Sequence, residues 1–378
     1  MDCCLSFARP SALAPALCFS GAGRRFSRLA RFGRRSHRRP SVAASGREGF
    51  SSLNTPLEPK SPVGKFLSRV LQDDLGFFHA AVGLQLGQLA AYRDEAVARM
   101  NLSSDSDEAC LHRRISELRE RESQTAVEDV MYMLVLYKFN EIGVHLVPRL
   151  SRCIYNGRLE IWPSRDWELQ SVHSAEVLEM IREHLTAVIG WRADANVTVN
   201  WSLTQISRLH LNQVYTASLL YGYFLKSASL RHHLEQSLAK SGCGLGISFS
   251  TPLPLFPLWP SGVKNTVFDY TSSTGLMLMK QAPSQGRARE QLRCYVTGFD
   301  PETMEMCAKP KTKEAVNLIE KHCSGLFGDE RTGLIETNEV IVTSMLSLKR
   351  MVLEAVALGS FLWDAEEYIA TVYKLNEN

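Results

Sequence analysis

Thr125-Ala126-Val127-Glu128-Asp129-Val130-Met131-Tyr132-Met133-Leu134-Val135-Leu136-Tyr137-Lys138-Phe139-Asn140-Glu141-Ile142 decides the fold. Val127, Val130, Met131, Met133, Leu134, Val135, Leu136 and Tyr137 run almost all the way round a helix of 3.6 residues per turn. A helix with no polar side has no face for water and belongs at the centre of a core. Thr125 with Glu128 three residues later reads as a capping box, which predicts that the helix opens at Thr125 and runs through Ile142.

Further helices follow on either side of it. Ser61-Pro62 is an N-cap with proline at the first helical position, and it predicts helices to about Gly76 and from about Phe77 to Met100. The polar Ser103-Ser104-Asp105-Ser106-Asp107 cluster breaks the pattern before a charged helix over Glu108 to Glu122. Downstream, helices are predicted from about Ser174 to Ile189 and from about Leu203 to Lys240, the latter with Ile206, Leu209, Gln213, Val214, Ala217, Leu220, Tyr221 and Phe224 at helical period. Asp300-Pro301 caps a brief helix, and another runs from Thr312 to Leu326. A final pair spans about Asn338 to Leu358 and Ser360 to Lys374, with Gly359 expected to allow a bend. Arg158 to Pro163 reads as a short strand or extended edge, and Arg293 to Thr297 as a short strand. The fold class is therefore mainly α, a multi-helix globular domain with a few short strands.

The N-terminus has a different composition. Residues 1–47 hold ten arginines, from Arg9 to Arg47, no lysine and a single acidic residue, Asp2. Such a stretch predicts a disordered organelle transit peptide, processed near Ala44. Its uncharged opening and late-clustered arginines favour a chloroplast over a mitochondrial address. The expected organisation is a leader over 1–47, a linker over 48–60, a helical domain over 61–240, a flexible Pro/Gly/Ser-rich loop over 241–290, and C-terminal helices over 291–378 that pack on the helical domain.

Removing the leader changes the electrostatics. The whole chain carries 43 Lys+Arg against 40 Asp+Glu. From Glu48 onward 33 basic residues face 39 acidic ones, a net charge of −6. An anionic body repels phosphate backbones, so no nucleic-acid partner is expected. No run reaches the roughly 18 to 20 apolar residues of a membrane span, so no transmembrane segment is expected either; the apolar stretch Leu211 to Leu225 is interrupted by Asn212, Gln213, Thr216 and Ser218.

Recognisable catalytic motifs are missing, and the sequence names no catalytic, cofactor-binding or metal-binding residue. Gly242-Cys243-Gly244-Leu245-Gly246 puts Ile247 where a dinucleotide loop needs its third glycine, and it follows a helix rather than a strand. Ser237-Leu238-Ala239-Lys240 lacks the companion elements of a serine–lysine hydrolase. Glu176, Glu179 and Glu183 share a helix face near His173 and His184, but without a Glu-x-x-His motif they read as a solvated acidic face. Cys110, Cys153, Cys243, Cys294, Cys307 and Cys323 have no zinc-site spacing and read as packed thiols. Pro252-Leu253-Pro254-Leu255-Phe256-Pro257-Leu258-Trp259-Pro260 suits polyproline II, which either a partner or the protein's own body could bury. Glu354 interrupts an apolar run, and Arg350 one turn earlier is its natural ion-pair partner.

Several of these segments, taken in order, resemble the UV-B-induced chloroplastic protein family of plants, which contains the plant domain of unknown function 760. They are Glu128-Asp129-Val130-Met131-Tyr132, Lys138-Phe139, Gly157-Arg158 with Trp162-Pro163, His173-Ser174-Ala175-Glu176, Tyr221-Gly222-Tyr223-Phe224-Leu225, Ser250 to Pro260, Leu353-Glu354-Ala355-Val356-Ala357, and Gly359-Ser360-Phe361-Leu362-Trp363-Asp364. The likeness runs from about Pro59 to the C-terminus and implies a plastid protein associated with light or UV-B stress. It supplies no catalytic residue. Together these readings predict a stromal protein that acts through a protein partner. The competing reading is an enzyme or small-ligand binder with a pocket between the central helices and the C-terminal pair.

Overall fold

The computed structural model describes residues 54–102, 109–192, 202–242, 291–328 and 339–373. The chain divides into residues 1–50 and 51–378, and every described residue belongs to the second unit. The leader, residues 48–53 of the linker and nearly all of the 241–290 loop, including Pro252 to Pro260, lie outside the described residues.

Eleven α-helices and four short strands make up the described part: α1 Pro62–Asp73, α2 Phe78–Leu102, α3 Ala109–Glu141, α4 Leu150–Cys153, β1 Ile154–Tyr155, β2 Arg158–Leu159, α5 Asp166–Gln170, α6 Ala175–Ile189, β3 Leu203–Ser207, α7 Arg208–Gly242, α8 Gln291–Thr297, α9 Pro301–Ala308, α10 Lys313–Phe327, β4 Val340–Ser344 and α11 Met345–Tyr373. The fold is mainly α, as its apolar periodicity predicts.

Caps start several helices where the sequence places them. Ser61 Oγ accepts from Gly64 N at 2.9 Å, Ser174 Oγ from Val177 N at 3.4 Å, Asp300 Oδ2 from Thr303 N at 3.4 Å and Thr312 Oγ1 from Ala315 N at 3.3 Å. Thr125 is different. It lies inside α3, and its hydroxyl donates back to Arg121 O at 3.0 Å, so the expected capping box never forms. The charged and apolar segments are consequently one helix of 33 residues.

Other expectations are corrected. Arg293 to Thr297, predicted as a strand, lies in α8, where Leu292 and Val296 take buried positions one turn apart. The helices expected from Leu203 and Asn338 each begin with a strand instead, β3 and β4. Of the strand expected over Arg158 to Pro163, only Arg158–Leu159 pairs. The two helices expected on either side of Gly359 are one continuous helix, α11.

The small sheet has strand order β1-β2-β4-β3. β1 and β2 are antiparallel around Asn156-Gly157, both with positive φ, the two-residue turn that matches strand twist. β2 pairs parallel with β4, and β3 pairs antiparallel with it from Leu203↔Ser344 to Ser207↔Val340. Arg208 closes that ladder through an ion pair with Glu339 at 2.8 Å.

α11 is the central pillar, buried continuously from Arg350 to Leu362. It lies across α7, where Ser360 Oγ donates to Gly222 O at 3.2 Å, and against α3, where Phe139 and Phe361 meet edge to face at 5.1 Å. α1, α2 and α10 complete the shell around α3, with Phe78 stacked on Tyr137 at 4.9 Å.

Candidate functional site

The most polar point of the core is Glu354, fully buried on α11. Arg350, one turn earlier, pairs with it at 2.9 Å, as the spacing predicts. Both carboxylate oxygens also accept from Val147 N at 3.1 Å, and Tyr215 OH on α7 reaches Oε1 at 3.5 Å. Tyr215 OH in turn meets His322 Nε2 of α10 at 3.1 Å, and Arg350 Nη2 donates to His145 O at 3.0 Å. One carboxylate thus ties together α7, α10, α11 and the segment after α3.

Burial sets the protonation chemistry here. It pushes the Glu354 carboxyl up, against the opposing pull of Arg350, and raises the Tyr215 phenol well above its usual range. The same desolvation lowers His322 to about 4, so the imidazole is neutral at physiological pH. Carboxyl, phenol and imidazole in a row resemble a proton relay. The neighbouring cavity, lined by residues including Tyr132, Leu318, His322 and Leu358, holds only about 10 Å³. That is about the volume one water centre needs, and its lining exposes no polar surface. A substrate does not fit beside these groups.

A second buried carboxylate lies three turns further along α11. Glu366 accepts from Thr312 N at 2.7 Å, from Thr312 Oγ1 at 2.6 Å and from Tyr223 OH at 2.5 Å. It holds the N-terminus of α10, and burial followed by this carboxylate raises the Tyr223 phenol.

A cleft of about 820 Å³ opens between the extended residues 56–60, α3 and α10. Tyr132 contributes to its wall, together with Lys60, Lys65, Arg149 and Lys321. Four acidic residues, Glu58, Glu128, Asp129 and Glu320, share the lining, and two of them have structural work: Glu128 accepts from Asn317 Nδ2 at 3.0 Å and pairs with Lys321, and Asp129 Oδ2 accepts from Ser61 N at 2.7 Å.

Three large aromatics point the other way. Tyr155, Trp162 and Trp167 are 80%, 79% and 82% exposed. The chain that carries them is anchored on the first turns of α11, by Ile161 N donating to Ser347 Oγ at 3.2 Å and by Lys349 pairing with Asp166 at 2.7 Å.

The acidic trio named from the sequence does not converge on a metal. Glu179 pairs with Arg182 at 2.9 Å and Glu183 with Arg293 at 2.7 Å, while His184 donates to or accepts from Ser218 at 3.0 Å and stacks on Tyr221 at 4.4 Å. Among the described residues no group of His, Cys, Asp and Glu could hold a metal ion. Ser237 donates its hydroxyl to His233 O at 2.8 Å. Gly242 ends α7 and the rest of that glycine run lies outside the described residues, as does Cys243. Cys110, Cys153, Cys294, Cys307 and Cys323 are free thiols, but only Cys307 and Cys323 are buried as expected of packed thiols; Cys153 is half-buried, and Cys110 and Cys294 are exposed. No described helix is long and apolar enough to cross a membrane. Sequence reasoning missed Tyr215, His322 and Glu366, polar residues within apolar helical runs whose partners come from distant elements.

The comparisons agree on one family. The family described as protein of unknown function, DUF760, matches residues 110–238 and 291–370, the two stretches that contain α3 to α7 and α8 to α11. A UV-B-induced chloroplastic protein of Arabidopsis thaliana is 35% identical over 346 residues, covering 84% of this chain and 77% of the relative. No solved structure matches. With its central helices and both buried carboxylates inside the matched stretches, the chain belongs to the DUF760 family.

Proposed function

We propose that this protein works in the chloroplast stroma as a protein-binding factor of UV-B and light-stress acclimation, not as a catalyst. One contrast carries the reading. Glu354, Tyr215 and His322, whose protonation burial shifts, are enclosed in the core with a cavity of only about 10 Å³ at His322, whereas Tyr155, Trp162 and Trp167 stand in solvent on a firmly anchored stretch. Exposed tryptophan and tyrosine are the residues that dominate protein interfaces. The relative's name supports the compartment and the trigger, and the arginine-rich leader supports import. A net charge of −6 after the leader supports a protein rather than a nucleic acid as partner.

The test is affinity capture from UV-B-treated chloroplasts with the wild type and with Trp162→Ala/Trp167→Ala. A partner recovered by the first, lost by the second, and accompanied by an unchanged melting temperature supports the reading. Identical recoveries overturn it, as does a fluorescent fusion that accumulates in cytosol or nucleus.

The cleft favours a second reading, a small anionic ligand. Its volume of about 820 Å³ lies within the range of ligand sites, and Lys60, Lys65 and Arg149 line it with no ion pair among the described residues. Protection of the wild type, but not Arg149→Ala, by a panel of carboxylates and phosphates in thermal unfolding would favour it over recruitment.

A further inference from the structure

Residues 54–60 form neither helix nor strand, and no backbone-to-backbone hydrogen bond among the described residues holds 56–60 to the body. Side-chain fit holds them instead. Pro56 is buried, Leu57 and Pro59 are half-buried, and Glu58 and Lys60 are exposed. Polar ties lie at the two ends, where Arg152 Nη1 donates to Asn54 Oδ1 at 3.0 Å and Ser61 N donates to Asp129 Oδ2 at 2.7 Å.

Two prolines three residues apart meet two glycines. A Cβ on Gly325 of α10 would lie 2.8 Å from Pro56 O and 3.1 Å from Leu57 Cδ2. One on Gly64 of α1 would lie 2.7 Å from Pro59 Cβ and 2.6 Å from Asp129 Oδ2. Only glycine leaves that room in each helix. Tyr132 of α3 adds an aromatic ring beside Thr55 and Leu57; burial raises its phenol, and these two neighbours oppose the rise. Paired prolines against an aromatic wall are how polyproline segments are recognised.

The same four-residue pattern recurs in the sequence. Pro56-Leu57-Glu58-Pro59 is matched by Pro254-Leu255-Phe256-Pro257 and Pro257-Leu258-Trp259-Pro260, both outside the described residues. We propose that the groove formed by α1, α3 and α10 is a binding site for Pro-Leu-x-Pro, filled here by residues 56–59 and exchangeable for the chain's own run Pro254 to Pro260. The third position favours the exchange. Glu58 lines the cleft of about 820 Å³ and leaves it open, whereas Phe256 or Trp259 in its place would bury an aromatic ring there. Length permits it as well. Gly242 lies 26 residues, about 39 Å, along α7 from Thr216, whose hydroxyl meets Cys323 of α10 at 3.3 Å. The 14 residues between Gly242 and Pro257 extend to about 50 Å, and the 30 between Pro260 and Gln291 to about 100 Å. Residues 54–60 precede α1, so they leave the groove without unwinding a helix. The inference goes beyond recruitment through Trp162 and Trp167, which share no residue with the groove and can be tested separately.

Fluorescence anisotropy with a labelled Thr251–Pro260 peptide tests it, on the full chain with its own run silenced by Pro254→Ala/Pro257→Ala/Pro260→Ala. Adding Leu57→Asp, which loosens the seated segment, should tighten peptide binding at least tenfold; Pro56→Ser/Pro59→Ser is a second way to loosen it. Gly325→Leu on top of either should abolish binding in a chain that keeps its full helical circular dichroism. Restoring the native run to the loosened chain should weaken peptide binding at least tenfold, because the run then competes from within. No binding to either loosened chain, binding that survives Gly325→Leu, or a native run that does not compete overturns the proposal.

Discussion

Gly222 of α7 and Gly359 of α11 mark the closest approach of the two longest-packed helices. A Cβ on Gly222 would sit 2.1 Å from Val356 O, and one on Gly359 would sit 1.9 Å from Leu219 O. Both obstacles are backbone, which cannot swing aside, so the absence of two side chains sets the distance between the helices.

Gly359→Ala is therefore expected to lower stability by about 3 kcal/mol, the upper range for overpacking, and Gly222→Ala by a similar amount. One widening of the crossing relieves both clashes, so the double variant should cost clearly less than the sum. Gly87→Ala, with open space around its Cβ, should be neutral or stabilise by up to ~1 kcal/mol. Urea unfolding of the four chains checks the ranking.

Glu354→Ala strands Arg350 in the core with His145 O as its remaining acceptor among the described residues, and should cost about 3–5 kcal/mol. Replacing both partners, as Arg350→Met/Glu354→Leu, should restore much of that loss, because the uncompensated charge is gone. A melting curve of Glu354→Ala that overlays the wild type would reject the buried-pair account.

His322 makes stability pH-dependent. In the unfolded chain an imidazole takes its proton near pH 6.5, whereas in the fold burial holds His322 neutral down to about 4. Between those values the unfolded state binds more protons, so stability falls as pH drops through the window. The full contribution is of the order of 3 kcal/mol. His322→Gln can keep the contact with Tyr215 without titrating; its melting temperature should vary less between pH 6.5 and 4 than that of the wild type.

Thr312 and Glu366 form one unit at the start of α10, so their removal should be strongly non-additive. Thr312→Ala loses the cap for about 1–2 kcal/mol, and Glu366→Ala leaves Thr312 N and Tyr223 OH without their carboxylate. If a double-mutant cycle by chemical denaturation gave independent effects, the shared network would be refuted.

Local chemistry was legible and long-range pairing was not. Ser61, Ser174, Asp300 and Thr312 announce their helices because a cap needs only the next three residues. Arg350 and Glu354 declare each other one turn apart. Thr125 misled because a capping box describes a helix start only when no helix is already running. β3 and β4 run directly into α7 and α11 without a glycine or proline between, and their partners lie more than 130 residues apart in sequence. Arg158-Leu159 was readable from its alternation, whereas the Asn156-Gly157 hairpin turn before it went unread. Arg293 to Thr297 has strand-like residue types, but two buried positions a turn apart on the body made it a helix. Of the site, Glu354 and Arg350 could be read, whereas Val147 N, Tyr215 and His322 are brought to them only by tertiary packing.

The pillar of the bundle is also made after the helices it holds together. α3 and α7 leave the ribosome while α11 is still unsynthesised, and at usual elongation rates the wait after α7 is on the order of ten seconds. A chain cut short before residue 345 would lack the helix that Ser360 ties to α7 and Phe361 packs on α3, leaving those two helices without their common support.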